Sequence, residues 1–387
     1  MTTAPTVDWL SPAFLRDPYP FYKQLREEAP VHRDPLRGVW MVMRYHDVEH
    51  VLRDSATFSA RQGNAGGGTM LVTDPPEHTR LRSLVSQAFT PRRVAEMAPR
   101  IEGIVRDLLD RMSGKDAFDA IAEFAYPLPI TVIAELLGVD PERRDFFRAE
   151  GLKVAYSLGP SPDPEAMRRV GGGTERDSLF AYFEELIEKR REEPRDDLMS
   201  ALTQAEMKGD VLTHGELLAM LFLLLVGGHE TTVNLIGNGL LALLRNPEQL
   251  ALLRERPDLT QSAVEELLRY DSPVQYSGRV CVREVELSGV RIRPGEPVRA
   301  ITGSANHDPE VFADPDRLDI TREANPHLAF GTGVHHCLGA ALARLEGRIA
   351  IPAFLERYPR LSLATDEPHW RPALVLRGLE SLPVRAN

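Results

Sequence analysis

The segment THGELLAMLFLLLVGGHETTVNLIGNGLLALLRNP, from Thr213 to Pro247, constrains the fold more than any other stretch. Thr213 followed three residues on by Glu216 is a capping-box pattern that opens a helix, and Asn246-Pro247 closes it. Between them lie about thirty residues that are apolar on nearly every face. A helix without a polar face must be surrounded by protein, so the rest of the fold is predicted to wrap around it. Its most apolar run, Leu217 to Val226, is ten residues long, short of the ~20 that span a membrane. With 43% apolar residues in 387, the chain has enough material for such a core, predicted here as one domain over 1–387.

The remaining sequence supplies helices and a little sheet. Apolar residues recur at helical spacing from about Pro18 to Ala29 and from about Glu77 to Leu137, as in RIEGIVRDLLDRM, so the N-terminal third is predicted to be largely helical. ARQGNAGGGTMLVTDPP (60–76) and SLGPSPDPEAMRRVGGGT (157–174) are glycine- and proline-rich, hence loops, the second a linker or a lid. After the helix DLTQSAVEELLRY, the stretch from Asp271 to about Ile301 alternates in short runs split by Gly and Pro, which predicts strands. LGAALARLEGRIAIPAFLERY returns to helix, and PALVLRGLESLPV predicts a last hairpin. The class is therefore mainly α with a small β region. A net charge of −11 argues against broad contact with nucleic acid or anionic lipid, and MTTAPTVDWLSPAFLRDPYP has no secretory pattern, so a cytoplasmic, monomeric protein is expected.

Only Cys281 and Cys337 are present, so cysteine chemistry must use one thiol. Cys337 lies in FGTGVHHCLG, where Gly331, Gly333 and Gly339 allow a tight turn beside a flat or bulky group. The following helix is predicted to begin at Cys337, and a helix start lowers a thiol's pKa and offers N–H groups to a thiolate. Three readings are open: an inert buried cysteine, a zinc site, or a thiolate ligand to haem iron. His335, His336 and Cys337 are consecutive and do not converge as a tetrahedral zinc set. HETTV is no zinc-protease motif, because Val233 stands where a second histidine would be needed.

Phe-Gly-x-Gly-x-His-x-Cys-x-Gly, ungapped here, resembles the proximal haem loop of the cytochrome P-450 family, and the resemblance extends from DPYPFY to LRGLESLPV. It implies the P-450 fold around one haem b, with Cys337 as axial iron ligand, Phe330 packed near the sulfur, Gly339 in the cofactor loop and His335 on a propionate; His336 is expected to face solvent. GGHETT, with helix-weakening glycines and threonine, resembles the family's oxygen-binding groove, where the helix is expected to open. Glu230 then takes the acid position and Thr231 the alcohol position of a proton-delivering pair. Glu266 and Arg269 in EELLR, by spacing alone a surface ion pair, resemble the family's structural Glu-x-x-Arg brace. His78 and Arg82, one turn apart in DPPEHTRLR, and Arg279 match its propionate contacts. Leu318 stands where relatives often have phenylalanine, His307 where arginine is usual, and Arg299, expected to face solvent, where an apolar residue is common.

The implied activity is insertion of one oxygen atom from O2 into a hydrophobic small molecule, by hydroxylation or epoxidation, with electrons from NAD(P)H. No Rossmann glycine fingerprint or cysteine cluster is present, so electrons are expected from a separate ferredoxin and ferredoxin reductase. Arg80, Arg92, Arg93 and Arg344 are expected to form a docking face, the alternative being scattered solvated arginines. Met70, Leu71, Leu223, Gly227, Val274, Gln275 and Leu376 are expected to line the substrate pocket, and their apolarity suits a macrolide, terpenoid, steroid or fatty acid. The alternatives are an H2O2-driven peroxygenase, whose members often lack the acid–alcohol pair, and a haem sensor or electron carrier, which would not require it.

Overall fold

A computed structural model describes residue 5 and residues 7–61, 69–143, 145–147, 149–150, 174–195, 197–207 and 212–386. Residues 157–173 of the second glycine-rich stretch, and 62–68 of the first, lie outside the described residues.

The central helix is one unbroken run of 32 residues, His214–Arg245. The Thr213 hydroxyl accepts the Glu216 N–H at 3.2 Å and the Glu216 carboxylate accepts the Thr213 N–H at 2.8 Å, so the predicted box closes. Every residue from Thr232 to Leu243 is buried. Pro127–Leu136, Thr260–Tyr270 and Ala340–Arg357 pack against it. Glycine makes these approaches close: a Cβ on Gly228 would lie 2.9 Å from Ile133, and one on Gly239 3.1 Å from Leu267. Among the described residues this helix is the one long and apolar enough to cross a membrane, and it is a core helix instead.

The N-terminal third is helical as predicted, in Tyr19–Glu28, Glu77–Ser86, Ala98–Arg111 and Pro127–Leu136. Short strands missed by periodicity interrupt it: β1 (Val31–Arg33), β2 (Trp40–Val42), β3 (Phe58–Ser59) and β4 (Ala117–Asp119). Two or three residues are too few to show alternation. The predicted β region supplies β5 (Ser277–Cys281), the hairpin of β6 (Val285–Leu287) and β7 (Val290–Ile292), and β8 (Pro297–Ala300). A five-stranded sheet runs β1-β2-β8-β5-β3, with Trp40 opposite Val298 in its parallel pair and Arg279 opposite Val298 in the antiparallel one.

The last predicted hairpin is reduced to one antiparallel bridge, Trp370 with Leu379, flanked by the Arg371 N–H on the Gly378 carbonyl at 3.0 Å and the Glu380 N–H on the His369 carbonyl at 2.8 Å. Val274 bridges Leu376 in the turn between its arms, while β10 (Pro383–Ala386) pairs with both β4 and β9 (Leu361–Leu363). The Arg377 guanidinium binds Asp271 at 2.7 Å and the Leu15 and Arg16 carbonyls at 2.7 and 3.0 Å. Those distant partners tie the turn of the hairpin to the N-terminus.

Three atypical positions are absorbed by packing. Leu318 is buried in the main core. His307 is buried, stacks on Tyr19 at 4.2 Å and reaches the Tyr270 carbonyl at 2.9 Å. Arg299 is half-buried over the Tyr276 ring at 4.7 Å, not solvated as expected.

Candidate active site

In FGTGVHHCLG the turn is made by glycines at left-handed dihedrals, Gly331 at φ 64° and Gly333 at φ 70°. A side chain at Gly333 would also strike the Leu52 carbonyl, 2.9 Å from its Cβ. The Cys337 N–H closes the loop on the Phe330 carbonyl at 2.9 Å. The next helix begins later than predicted, at Ala340 with Gly339 as its cap, so Cys337 sits just before the helix rather than at its first residue. The benefit expected of a helix start survives in direction: desolvation by the surrounding loop raises the Cys337 thiol, and the backbone N–H groups of Gly339 and Ala340 with the charges of Arg82 and Arg344 work against it.

The inert reading describes the other cysteine: Cys281 is buried and its thiol donates to the Arg283 carbonyl at 2.8 Å. Cys337 retains accessible area, as does His336. Among the described residues no three His, Cys, Asp or Glu side chains gather as a metal site.

Four predicted donors converge beside this loop. The rings of His78 and His335 lie 4.4 Å apart, and both nitrogens of His78 and Nε2 of His335 are buried without a hydrogen-bond partner. Arg279 is buried, and its Nη1 donates to the carbonyl of its neighbour Gly278 at 2.7 Å. Arg82 reaches the Val334 carbonyl at 3.3 Å. Burial first, then the positive charge of Arg279, holds His335 down at about 4. Asp74, the acid felt by this cluster, is itself bonded to Ser59 and to the Ala60 N–H. Orphaned donors and two guanidinium groups in a buried place are costly unless an anion meets them. The donor set therefore fits a flat group with two carboxylates, the propionates of haem, placed beside a sulfur ligand.

On the central helix, Leu223, Gly227 and Thr231 fall at i, i+4 and i+8, and all three keep accessible area although their neighbours Leu224, Leu225, His229 and Glu230 are buried. The paired glycines divide their work: Gly228 packs on Ile133, while a Cβ on Gly227 would meet nothing within 4 Å. The helix does not open here as expected. Instead the Thr231 hydroxyl donates to the Gly227 carbonyl at 2.8 Å, back-bonding within a continuous helix.

Glu230 and Thr231, adjacent in sequence, face different sides. Glu230 is buried and ion-paired with Arg371, a partner that sequence spacing could not reveal. Burial raises the Glu230 carboxyl, and Arg371 pulls it back.

The expected pocket residues behave unequally. Met70 is buried and Leu71 is 58% exposed. Val274 and Leu376 are brought together by their β-bridge. Gln275 is corrected to a structural role: its amide accepts from Tyr22 at 3.0 Å and donates to the Ser272 carbonyl at 2.8 Å, so its polar atoms are committed inside the fold.

Three of the four expected docking arginines have acidic partners: Arg80 pairs with Glu216, Arg92 with Glu96, and Arg344 with Glu265 at 2.7 and 2.8 Å. Arg344 lies 4.4 Å over the Phe330 ring, and Glu265 also meets His327 at 3.0 Å. This network pins the ring that the resemblance sets near the sulfur. Burial would raise Glu265, but the bonds from His327 and Arg344 outweigh it and hold the carboxyl at about 2, below its ordinary 4.5. A carboxylate depressed in the fold contributes stability above its unfolded pKa and loses it as the pH falls through the folded one. Glu265→Gln is therefore expected to be less stable than the parent at neutral pH, with the gap narrowing between pH 4.5 and 2. Urea melts across that range check it; a gap that ignores pH would remove the ion pair from the account.

A cysteine in a tight glycine turn, an accessible helix face carrying a hydroxyl and a cluster of His and Arg donors form the arrangement expected of a haem-thiolate protein. Residues 172–373 match the family model described as Cytochrome P450, and the chain belongs to the cytochrome P-450 family. It is 48% identical to cytochrome P-450 107B1 of Saccharopolyspora erythraea, over 100% of this chain and 99% of that one. It is 40% identical to the 6-deoxyerythronolide B hydroxylase of the same organism, with both chains covered fully at 100%. Its fold matches the solved structure of P450BioI in complex with hexadec-9Z-enoic acid ligated acyl carrier protein, with a TM-score of 0.90, 41% identity, and 97% and 100% of the two chains covered. The chain is thus a monooxygenase of the helix-rich P-450 fold, and the family implies haem as its cofactor.

Proposed function

We propose that this chain hydroxylates or epoxidises a hydrophobic small molecule with O2, using electrons that pass from NAD(P)H through a ferredoxin reductase and a ferredoxin. The observation that carries the reading is the placement of Cys337 in its glycine turn beside the ring nitrogens of His78 and His335, buried without hydrogen-bond partners, and the buried guanidinium of Arg279. Cys337 would hold the iron of haem b, and His78, Arg82, Arg279 and His335 its propionates. When bound, the haem supplies O2 activation, and a thiolate ligand favours O–O cleavage. The chain's own part is to deliver protons and to position substrate. Thr231, whose hydroxyl proton rests on the Gly227 carbonyl, turns its lone pairs toward the accessible side of the helix and relays protons there, with Glu230 as the acid behind it.

Met70, Leu223, Gly227, Val274 and Leu376 form the apolar wall against which substrate lies. A relative named 6-deoxyerythronolide B hydroxylase and a neighbour solved with hexadec-9Z-enoic acid ligated acyl carrier protein support a hydrophobic substrate, and a spectral binding screen over macrolides, terpenoids, steroids and fatty acids would find it. Thr231→Ala is expected to lower product formed per NAD(P)H consumed by about 10-fold or more, the scale of a lost general acid, while the reduced carbon monoxide spectrum is unchanged. Unchanged coupling would overturn the relay. H2O2-driven turnover as fast as the NAD(P)H-driven reaction would favour a peroxygenase instead.

A further inference from the structure

Asn234 stands three residues beyond Thr231 on the central helix and seven beyond Gly227, which sets it within about 20° of Gly227 around the helix axis. Its side chain is buried, and neither the amide oxygen nor the amide nitrogen has a hydrogen-bond partner. A buried amide in that state costs stability, so what it contributes here is bulk. The bulk meets one neighbour above all: a Cβ on Gly378 would overlap Oδ1 and Cγ of Asn234 and lie 2.9 Å from its Nδ2. The C-terminal segment therefore rests bare backbone on this amide.

Two residues back along that segment is Leu376, half-buried and bridged to the half-buried Val274, whereas Gly378 is buried. Residues 375–377 run antiparallel to 273–275, with the Gln275 N–H on the Val375 carbonyl and the Arg377 N–H on the Pro273 carbonyl, both at 2.8 Å. In such an extended run, successive side chains point to opposite sides. Arg377 reaches away to Asp271 and the Leu15 and Arg16 carbonyls, so Leu376 and Gly378 share the other side. Asn238, one turn beyond Asn234, donates to the Arg377 carbonyl at 3.0 Å. The segment is thus tethered toward the first helices and stopped against the central helix, and the reach of Leu376 is fixed between the two.

We propose that Asn234 is a specificity-determining positioning residue: its amide is the stop that sets how far Leu376 projects over the accessible face of Gly227 and Thr231, and so the length of molecule that fits there. The inference rests on the reading above that Leu376 lines the substrate space. Asn234 acts through the backbone of Gly378 and by shape alone. Removing the amide lets the segment settle toward the helix and carries Leu376 inward. Adding a methyl at Gly378 against an intact amide pushes Leu376 outward, so the two changes have opposite signs.

The test uses the haem-loaded protein and 1-alkylimidazoles, whose ring nitrogen ligates iron and whose unbranched arms gauge the space above it. Spectral titration gives Kd against arm length. In Asn234→Ala, the longest arm that the parent accepts is expected to bind about 10-fold more weakly, the scale of one methylene too many in an apolar pocket. In Gly378→Ala, arms beyond that limit are expected to bind about 10-fold more tightly than to the parent. Asn234→Ala/Gly378→Ala makes room for the added methyl and should return to the parent profile. Asn234→Leu keeps the branched shape without the polar atoms and should hold every arm within about 3-fold of the parent. 1-Methylimidazole should bind all variants alike, which separates a moved segment from a damaged haem site. If Gly378→Ala does not fold, the contrast of Ala with Leu at Asn234 decides. A length profile unchanged in Asn234→Ala, or shifted equally in Asn234→Leu, overturns the proposal. The titration needs haem but no turnover, so arms that bind as expected in a protein that forms no oxygenated product would sink the oxygenase reading alone.

Discussion

Cys337→Ser is expected to leave a folded protein that no longer gives the reduced carbon monoxide absorption of thiolate-ligated haem and whose turnover drops to background. The turn is held by backbone, through the residue 337 N–H on the Phe330 carbonyl at 2.9 Å and the left-handed Gly331 and Gly333, so it is preserved. What changes is the ligand atom: a hydroxyl stays protonated where a thiol is ionised by the metal it binds, and it donates far less electron density. The loss should exceed the ~10–100-fold that removal of a mere supporting contact costs. Thiolate-type absorption in this variant would mean that Cys337 is not the ligand.

Arg269→Ala is expected to have the largest effect on stability. By spacing, Glu266 and Arg269 looked like a surface pair, but both side chains have 0% exposure, and they join through two bonds of 2.8 Å. Arg269 also donates to the carbonyls of Asn306, Pro315 and Arg317, while Glu266 accepts from the Asp319 N–H, Arg322 and Asn325. Removing the arginine strands a buried carboxylate and several carbonyls at once, a loss of about 3–5 kcal/mol. Glu266→Gln, which keeps an acceptor oxygen, should cost less. Urea unfolding of the two variants gives the order, and an Arg269→Ala protein as stable as its parent would end the case for a brace.

What could be read in advance was local. The Thr213–Glu216 cap, the Asn246-Pro247 stop and the glycines around Cys337 act over a few residues, and their chemistry is written in adjacent letters. His78 and Arg82 were legible because one helical turn brings them to one face. What escaped was long-range and polar. Glu230 meets Arg371 across 141 positions and Glu265 meets Arg344 across 79, and no periodicity announces a pair of that kind. The tether of the last hairpin is of the same kind, since Arg377 binds backbone 362 positions away. The helix opening expected at GGHETT did not appear because Gly227 could expose backbone while Thr231 bonded its carbonyl, an arrangement that leaves the helix intact.

The lacing of the C-terminal segment also bears on how the chain is made. A ribosome releases Glu230 long before Arg371, and Leu15 long before Arg377, so the acid waits for its counter-ion and the first helices wait for their tether. Contacts that far apart cannot form until the intervening chain has been made, and they slow closure of the fold as well. The nascent protein must carry an uncompensated carboxylate in its central helix until Arg371 emerges. A chain cut before Arg371 would keep its central helix yet be unable to lock its first helices or its acid in place.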